Sequence, residues 1–356
     1  MLKISKDNQQ INALTGLRAI AAFFVVIHHL YPKQKGILNS ILEELNIGVT
    51  VFFVLSGFLI ALRYSDSVQL NRKWLKKYFV NRVARIFPMF FILTSLASVF
   101  DYLSNPNFSI SNTYIYILNI LLLKGFFANY VYSIIPQTWT LTVEECFYFS
   151  APLVFVLNKK INILVQSVII FSIGFLLYIF FRNIDFFGFF NSLPHILITT
   201  FFGRVFEFLI GVFCFYNINK FSKIKYKTNL GIIFFILFFL FQIVINYYNS
   251  KFAIQTTIGY LVNEFLFPIA ISLFILGLVY ESTYISKWLE TKLMVLLGKS
   301  SYTLYLFHWG YSSYLINRFI STNFFVTLFM TYIGSILLWH FIEEPANKII
   351  RKSIKY

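Results

Sequence analysis

Only a few residues of this chain have both the chemistry and the spacing to act on a substrate. Arg18 and His29 are eleven residues apart. On a helix that is three turns plus roughly 20°, so they share a face and stand roughly 16 Å apart along the axis. His28 is turned about 80° off that line. The geometry therefore favours His29 over His28 as the companion of Arg18. A functional pairing on that face is one reading; the plain alternative is an interfacial histidine pair closing a helix. Arg82 and Arg85 are three apart in Asn81-Arg82-Val83-Ala84-Arg85-Ile86 and can project as one fork. Arginine forks suit phosphate through bidentate, charge-assisted bonds. Glu144 and Glu145 follow Trp139-Thr140-Leu141-Thr142-Val143. They point about 100° apart on a helix, so at most one easily faces a given site. Such a carboxylate can orient a histidine or share its proton, or it can simply anchor a helix end.

Two further groups have a more structural spacing. Arg204 and Glu207 stand at i, i+3, which favours an ion pair. They are read as a structural pair or the wall of a polar cavity. Tyr302, Tyr305 and His308 follow an i, i+3, i+6 line, a polar stripe with a buried, hydrogen-bonded histidine as the plain alternative. No metal signature is present. Cys146 and Cys214 lie far apart in apolar stretches and read as core residues. There is no Walker motif, no Gly-x-Ser-x-Gly elbow and no His-Glu-x-x-His.

The elements that must position these residues are membrane spans. The chain is 58% apolar and 12% charged, with a mean hydropathy of +0.72. Soluble domains carry about twice that charge. Segments long and apolar enough to span fall at 13–31, 46–63, 84–103, 141–157, 161–181, 203–217, 230–248, 261–280, 300–318 and 324–342. The stretch 113–128 is read as interfacial or re-entrant. Arg18 inside the first apolar run, and no cleavage site after it, make that run a retained span rather than a leader. The expected fold is an all-α integral membrane bundle of about ten helices, one domain over 1–356, with no separate soluble domain.

Loop charge sets the orientation. With the N-terminus inside, the outer segments hold only Lys33, Lys35, Lys124, Arg182, Arg204, Lys251 and Arg318. All other lysines and arginines except Arg18 fall inside, Lys3, Lys6 and Lys355 among them. That bias places both termini in the cytoplasm. It also explains the formal charge of +16 without nucleic acid.

Taken in order, these pieces resemble acyltransferase family 3, whose members O-acylate bacterial surface glycans from within the membrane. The matching stretches are Leu14-Thr15-Gly16-Leu17-Arg18 through His29, and Gly48-Val49-Thr50-Val51-Phe52-Phe53-Val54-Leu55-Ser56-Gly57-Phe58. Arg82-x-x-Arg85-Ile86-x-Pro88, Trp139-Thr140-Leu141-x-Val143-Glu144 and Arg204-x-x-Glu207-Phe208-x-x-Gly211 follow. Ser301-Tyr302-x-Leu304-Tyr305-Leu306-x-His308 and Glu343-x-Pro345 complete the set, which spans nearly the whole chain.

The resemblance implies that His29 is the catalytic histidine and that Arg18, Arg82 and Arg85 serve the acyl-CoA donor. It implies that Glu144 is the partner carboxylate, with Arg204, Glu207, Tyr302 and His308 in a supporting polar network. Many members carry Asp where this chain has Thr50, which leaves the carboxylate that supports His29 open. The resemblance further implies a multi-pass protein of the bacterial inner membrane. Its co-substrate would be acetyl-CoA or another acyl-CoA, and its acceptor a glycan or lipid-linked glycan such as O-antigen, capsule or exopolysaccharide. Because no extracytoplasmic hydrolase-like domain follows the last span, single-domain members are expected. The rival readings are an exporter or flippase of lipid-linked sugars, and a glycan polymerase or ligase.

Overall fold

The computed structural model describes residues 11–33, 35–104, 110–184 and 186–352. Lys3, Lys6 and Lys355 of the charge argument lie outside them. Among the described residues the protein is all-helical, with one isolated bridge between Phe127 and Phe189. The first helices are α1 (Asn12–Leu30), α2 (Ile37–Glu44), α3 (Gly48–Tyr64), α4 (Arg72–Ser104) and α5 (Ile110–Ile120). The middle of the chain forms α6 (Trp139–Leu157), α7 (Ile163–Phe181), α8 (Leu193–Thr199), α9 (Phe201–Tyr216) and α10 (Ile218–Phe221). Next come α11 (Lys227–Asn249), α12 (Thr257–Leu261), α13 (Phe267–Tyr280), α14 (Tyr284–Leu289) and α15 (Lys292–Lys299). The chain closes with α16 (Ser301–Phe307), α17 (Tyr311–Phe319), α18 (Phe324–Leu338) and α19 (Glu344–Lys352). π-turns at Val262–Leu266 and Trp339–Glu343 join α12 to α13 and α18 to α19.

Nine helical stretches among the described residues are long and apolar enough to cross a membrane, and they coincide with nine of the ten expected spans. This is a multi-pass membrane protein. The tenth expected span, 300–318, is not one helix. It breaks at His308–Gly310, where Gly310 takes φ +84°, a conformation that glycine adopts without steric cost. Gln137 meets the break: its side-chain amide donates to the carbonyls of Tyr305 (3.2 Å) and Leu306 (3.1 Å), which end α16. Helix α5 has eleven described residues, fewer than a span needs. Helix α4 begins at Arg72, twelve residues before the apolar run, because the basic segment continues as helix.

The packing forms two compact units. The first runs to Val68 and includes Ala151–Phe171 and Arg204–Lys299; the second comprises Gln69–Ser150, Ser172–Gly203 and the chain from Ser300 on. In the first unit, glycine brings backbones together. A Cβ on Gly57 of α3 would stand 2.0 Å from the Phe208 carbonyl oxygen, and one on Gly211 of α9 would stand 2.1 Å from that of Val54. Close approach through small residues is how helices associate where no hydrophobic effect separates them from lipid. Gly16 and Gly298 do the same for α1, against Leu289 and Thr15. The start of α3 meets α1 at Ala21 and Val25, one turn before His29.

Candidate active site

His29 lies in the last turn of α1, half-buried. Its Nδ1 is 2.9 Å from the Val25 carbonyl oxygen. A carbonyl only accepts, so Nδ1 carries the proton and donates, and the lone pair of the neutral ring lies on Nε2. The backbone of α1 thus selects the tautomer whose Nε2 can take a proton. His28 is fixed in the same way, with Nδ1 3.2 Å from the Leu42 carbonyl. The two rings meet edge to face, with centroids 4.6 Å apart. Helix α1 is unbroken from Asn12, so the shared face of Arg18 and His29 holds.

Deeper in the same unit lies a buried ionic cluster. Arg204 on α9 pairs with Glu207 at 2.8 Å, as its spacing predicts, and with Glu264 at 2.5 Å. Its Nη2 also donates to the Thr50 hydroxyl at 3.3 Å, and its guanidinium covers the Phe53 ring. Arg204 is 3% exposed and both glutamates are fully buried. One guanidinium therefore ties α3, α9 and the π-turn before α13 together. Glu264 was missed by sequence reading, which averaged it into an apolar span. The signal was there: an acid within an apolar span is costly and rarely idle. Thr50 faces Arg204 in this arrangement.

The second unit holds the other predicted residues. Arg82 and Arg85 are not equivalent. Arg82 is 2% exposed and lies over the Tyr148 ring, 5.3 Å from its centroid, whereas Arg85 is half-buried. Starting α4 at Arg72 puts Arg82 about 15 Å into the helix, which carries it into the packed interior. The Tyr148 hydroxyl donates to Glu144, and its carbonyl accepts from Tyr78 at 2.9 Å. Arg82 and Glu144 thus bind opposite parts of one tyrosine. The sequence reading passed over Tyr148 because it sits among apolar residues one turn beyond Glu144. Tyr302 donates to the Ile86 carbonyl at 2.8 Å, one residue past Arg85. Tyr305 and Thr140 share a 2.7 Å hydroxyl contact, and both reach the Gln137 carbonyl at 3.0 Å. His308 is fully buried at the break after α16, its Nδ1 donating to the Tyr305 carbonyl at 2.8 Å. Glu343, in the second π-turn, accepts from Thr303. Among the described residues no group of histidine, cysteine or carboxylate side chains could hold a metal ion.

Lys124 departs from its sequence reading. An outer-loop charge would face water, yet its side chain is buried, donating to the carbonyls of Ser133 (2.8 Å) and Ile135 (2.7 Å). Burial pushes its ammonium down to about 7. Between that value and about 10.4 the unfolded chain holds a proton that the folded chain has released. Stability therefore rises with pH across this window, by up to about 1.4 kcal/mol per unit. Thermal midpoints in detergent at pH 7, 8 and 9 should climb for the wild type and climb less for Lys124→Met. Parallel curves would contradict the assignment.

A family model described as "Acyltransferase domain" (Acyl_transf_3) matches residues 11–340. The chain belongs to this family. It is 27% identical to "Putative O-acetyltransferase SACOL0978" of Staphylococcus aureus (strain COL), over 96% of this chain and 58% of that protein. It is 26% identical to "O-acetyltransferase OatA" of Staphylococcus aureus (strain NCTC 8325 / PS 47), over 94% of this chain and 57% of that protein. The acyltransferase domain described here thus spans little more than half the length of the curated relatives it matches. No solved structure matches it.

Proposed function

We propose that the protein is a membrane O-acyltransferase that moves an acyl group, acetyl in the simplest case, from acyl-CoA to a hydroxyl of a bacterial surface glycan. The observation that carries this reading is the fixed tautomer of His29, with Nδ1–H on the Val25 carbonyl and the lone pair on Nε2. A hydroxyl placed on Nε2 gives up its proton there as its oxygen attacks the thioester carbonyl. The tetrahedral species then collapses, the C–S bond breaks, and the departing CoA thiolate takes the proton back from His29. Membership of the acyltransferase family supports the transfer, and the names of the staphylococcal relatives support acetyl as the group.

In this reading the donor enters from the cytoplasm and its phosphates meet Arg85 and Arg82, and Arg18 also serves the donor. Glu144 and Arg82 meet the same Tyr148, one at its hydroxyl and the other at its ring, which helps to keep both side chains fixed while the donor comes and goes. The setting is the bacterial inner membrane, both termini in the cytoplasm.

The test uses inside-out membrane vesicles that contain their own glycan, supplied with radiolabelled acetyl-CoA. Label should appear in base-labile ester on polysaccharide, and mass spectrometry of surface glycans from cells with and without the protein should locate it. Vesicles that transfer nothing, or cells whose glycan lacks ester in both cases, would refute the reading. Arg85→Ala should raise half-saturating acetyl-CoA about tenfold, the size of a lost charge-assisted bond, with the maximal rate less affected. An unchanged half-saturation would remove Arg85 from the donor site.

A further inference from the structure

Gln137 joins two parts of the second unit that lie far apart in sequence. It stands in the turn Pro136–Thr138 that leads into α6. That turn is held from behind: Lys124 donates to the carbonyls of Ser133 and Ile135, and the Thr138 hydroxyl donates to Ile135 at 2.9 Å. On its other side the Gln137 amide nitrogen donates to the carbonyls of Tyr305 and Leu306, where α16 stops. Carbonyls only accept, so the orientation of the amide is settled: its nitrogen faces the break, and Oε1 is left as an acceptor.

That oxygen is buried and unpaired. Gln137 is 3% exposed, and among the described residues Oε1 has no hydrogen-bond partner. A buried carbonyl without a donor is costly, so a donor is expected to meet it. The hydroxyls of Thr140 and Tyr305 are spent elsewhere. One proton bridges the pair, and the other goes to the Gln137 backbone carbonyl. There is also room beside the break. A Cβ built on Gly310 would meet only Pro136 Cδ, at 4.0 Å. The break falls within the expected span 300–318, and backbone that leaves the helix at such depth is tolerated where it is packed in protein or lines a cavity. Broken helices are also where membrane transporters hold their substrates.

We infer that the break between α16 and α17 binds an uncharged hydrogen-bond donor, and that Gln137 Oε1 accepts its hydrogen bond. A phosphate or carboxylate would bring only more acceptors to a site already lined by carbonyl oxygens. A sugar hydroxyl has the required chemistry, and so do the amide N–H groups in the pantetheine arm of acyl-CoA. In the orientation read from loop charge, Gln137 enters its span from the outer face, which favours the acceptor glycan. This inference rests on the acyltransfer reading given above.

The test uses the full chain purified in detergent, radiolabelled acetyl-CoA, and surface polysaccharide of the producing cells stripped of ester with mild base. Gln137→Lys removes the oxygen but keeps donors for both carbonyls of the break, as Lys124 does for Ser133 and Ile135. Half-saturating polysaccharide should rise about tenfold, the size of one lost hydrogen bond, with half-saturating acetyl-CoA and the amount of folded protein unchanged. Gln137→Glu keeps an oxygen acceptor and should stay within about threefold of the wild type. A purely structural role for the amide nitrogen predicts the reverse order, with Gln137→Lys mild and Gln137→Glu damaging, and that order would overturn the inference. Gln137→Met loses both functions, so it should combine the raised half-saturation with a lower thermal midpoint. A rise in half-saturating acetyl-CoA alone keeps the site and makes the pantetheine arm its ligand. Wild-type half-saturation for both substrates in Gln137→Lys would leave the oxygen to a buried water and refute this inference alone. If the wild type transfers no label, the acyltransfer reading fails and takes this one with it.

Discussion

His29→Ala should abolish detectable ester formation while leaving the amount of membrane protein unchanged. A positioned general base is typically worth about 10²–10⁴-fold in rate, and here the alternatives are few. The helix fixes the imidazole with its proton on Nδ1, so no rotation of the ring is needed before reaction. Stability should suffer little, because His29 is half-buried at the last turn of α1 and the core of that unit lies along the earlier part of the helix. His29→Gln separates base from bulk. It keeps a polar side chain of similar reach and removes the basic nitrogen, so it should be as inactive as alanine. The measurement is label transferred per mole of protein in vesicles, with acetyl-CoA well above half-saturation. Activity within tenfold of wild type in either variant would remove His29 from the chemistry. His28→Ala, by contrast, should be impaired but active.

The sequence was most informative where a single property decides the structure. Spanning helices need apolar length and little else, so nine of them coincide with hydropathic segments. The break at His308–Gly310 was hidden because its flanks, α16 and α17, carry enough aromatic and aliphatic residues to imitate a continuous span. Gly310 was its one local sign, and the partner that makes it tolerable, Gln137, lies far away in the chain. The ion pair of Arg204 with Glu207 was legible because it is local, at i, i+3. The pair with Glu264 was not, because it joins residues sixty apart and depends on a π-turn. Arg82 shows the opposite error. The i, i+3 spacing lets it project in one fork with Arg85, although helix length alone carries it into the interior. Position within an element, more than residue type, separated the buried arginine from its exposed neighbours.

The Arg204 cluster offers the second large effect, on stability rather than rate. Glu264→Ala should lower the thermal midpoint sharply in mild detergent, because it deprives a buried guanidinium of a partner at 2.5 Å. Breaking a buried pair from one side typically costs about 3–5 kcal/mol, most of it the burden of the charge left behind. Arg204→Met should be as damaging or more so, since it leaves two fully buried carboxylates without a cation. The combined variant Arg204→Met, Glu207→Leu, Glu264→Leu carries no buried charge. Apolar replacement of a whole buried ionic group is often neutral or stabilising, so this triple variant should melt close to the wild type. That contrast also decides what the cluster is for. Three sides of the Arg204 guanidinium are already occupied, by Glu207, Glu264 and Thr50. If the cluster is a clamp between helices, the triple variant will be folded and will still transfer acyl groups. If it is folded and silent, the cluster takes part in the reaction. A Glu264→Ala protein that melts like the wild type would mean that the pair contributes nothing to holding α9 against the π-turn.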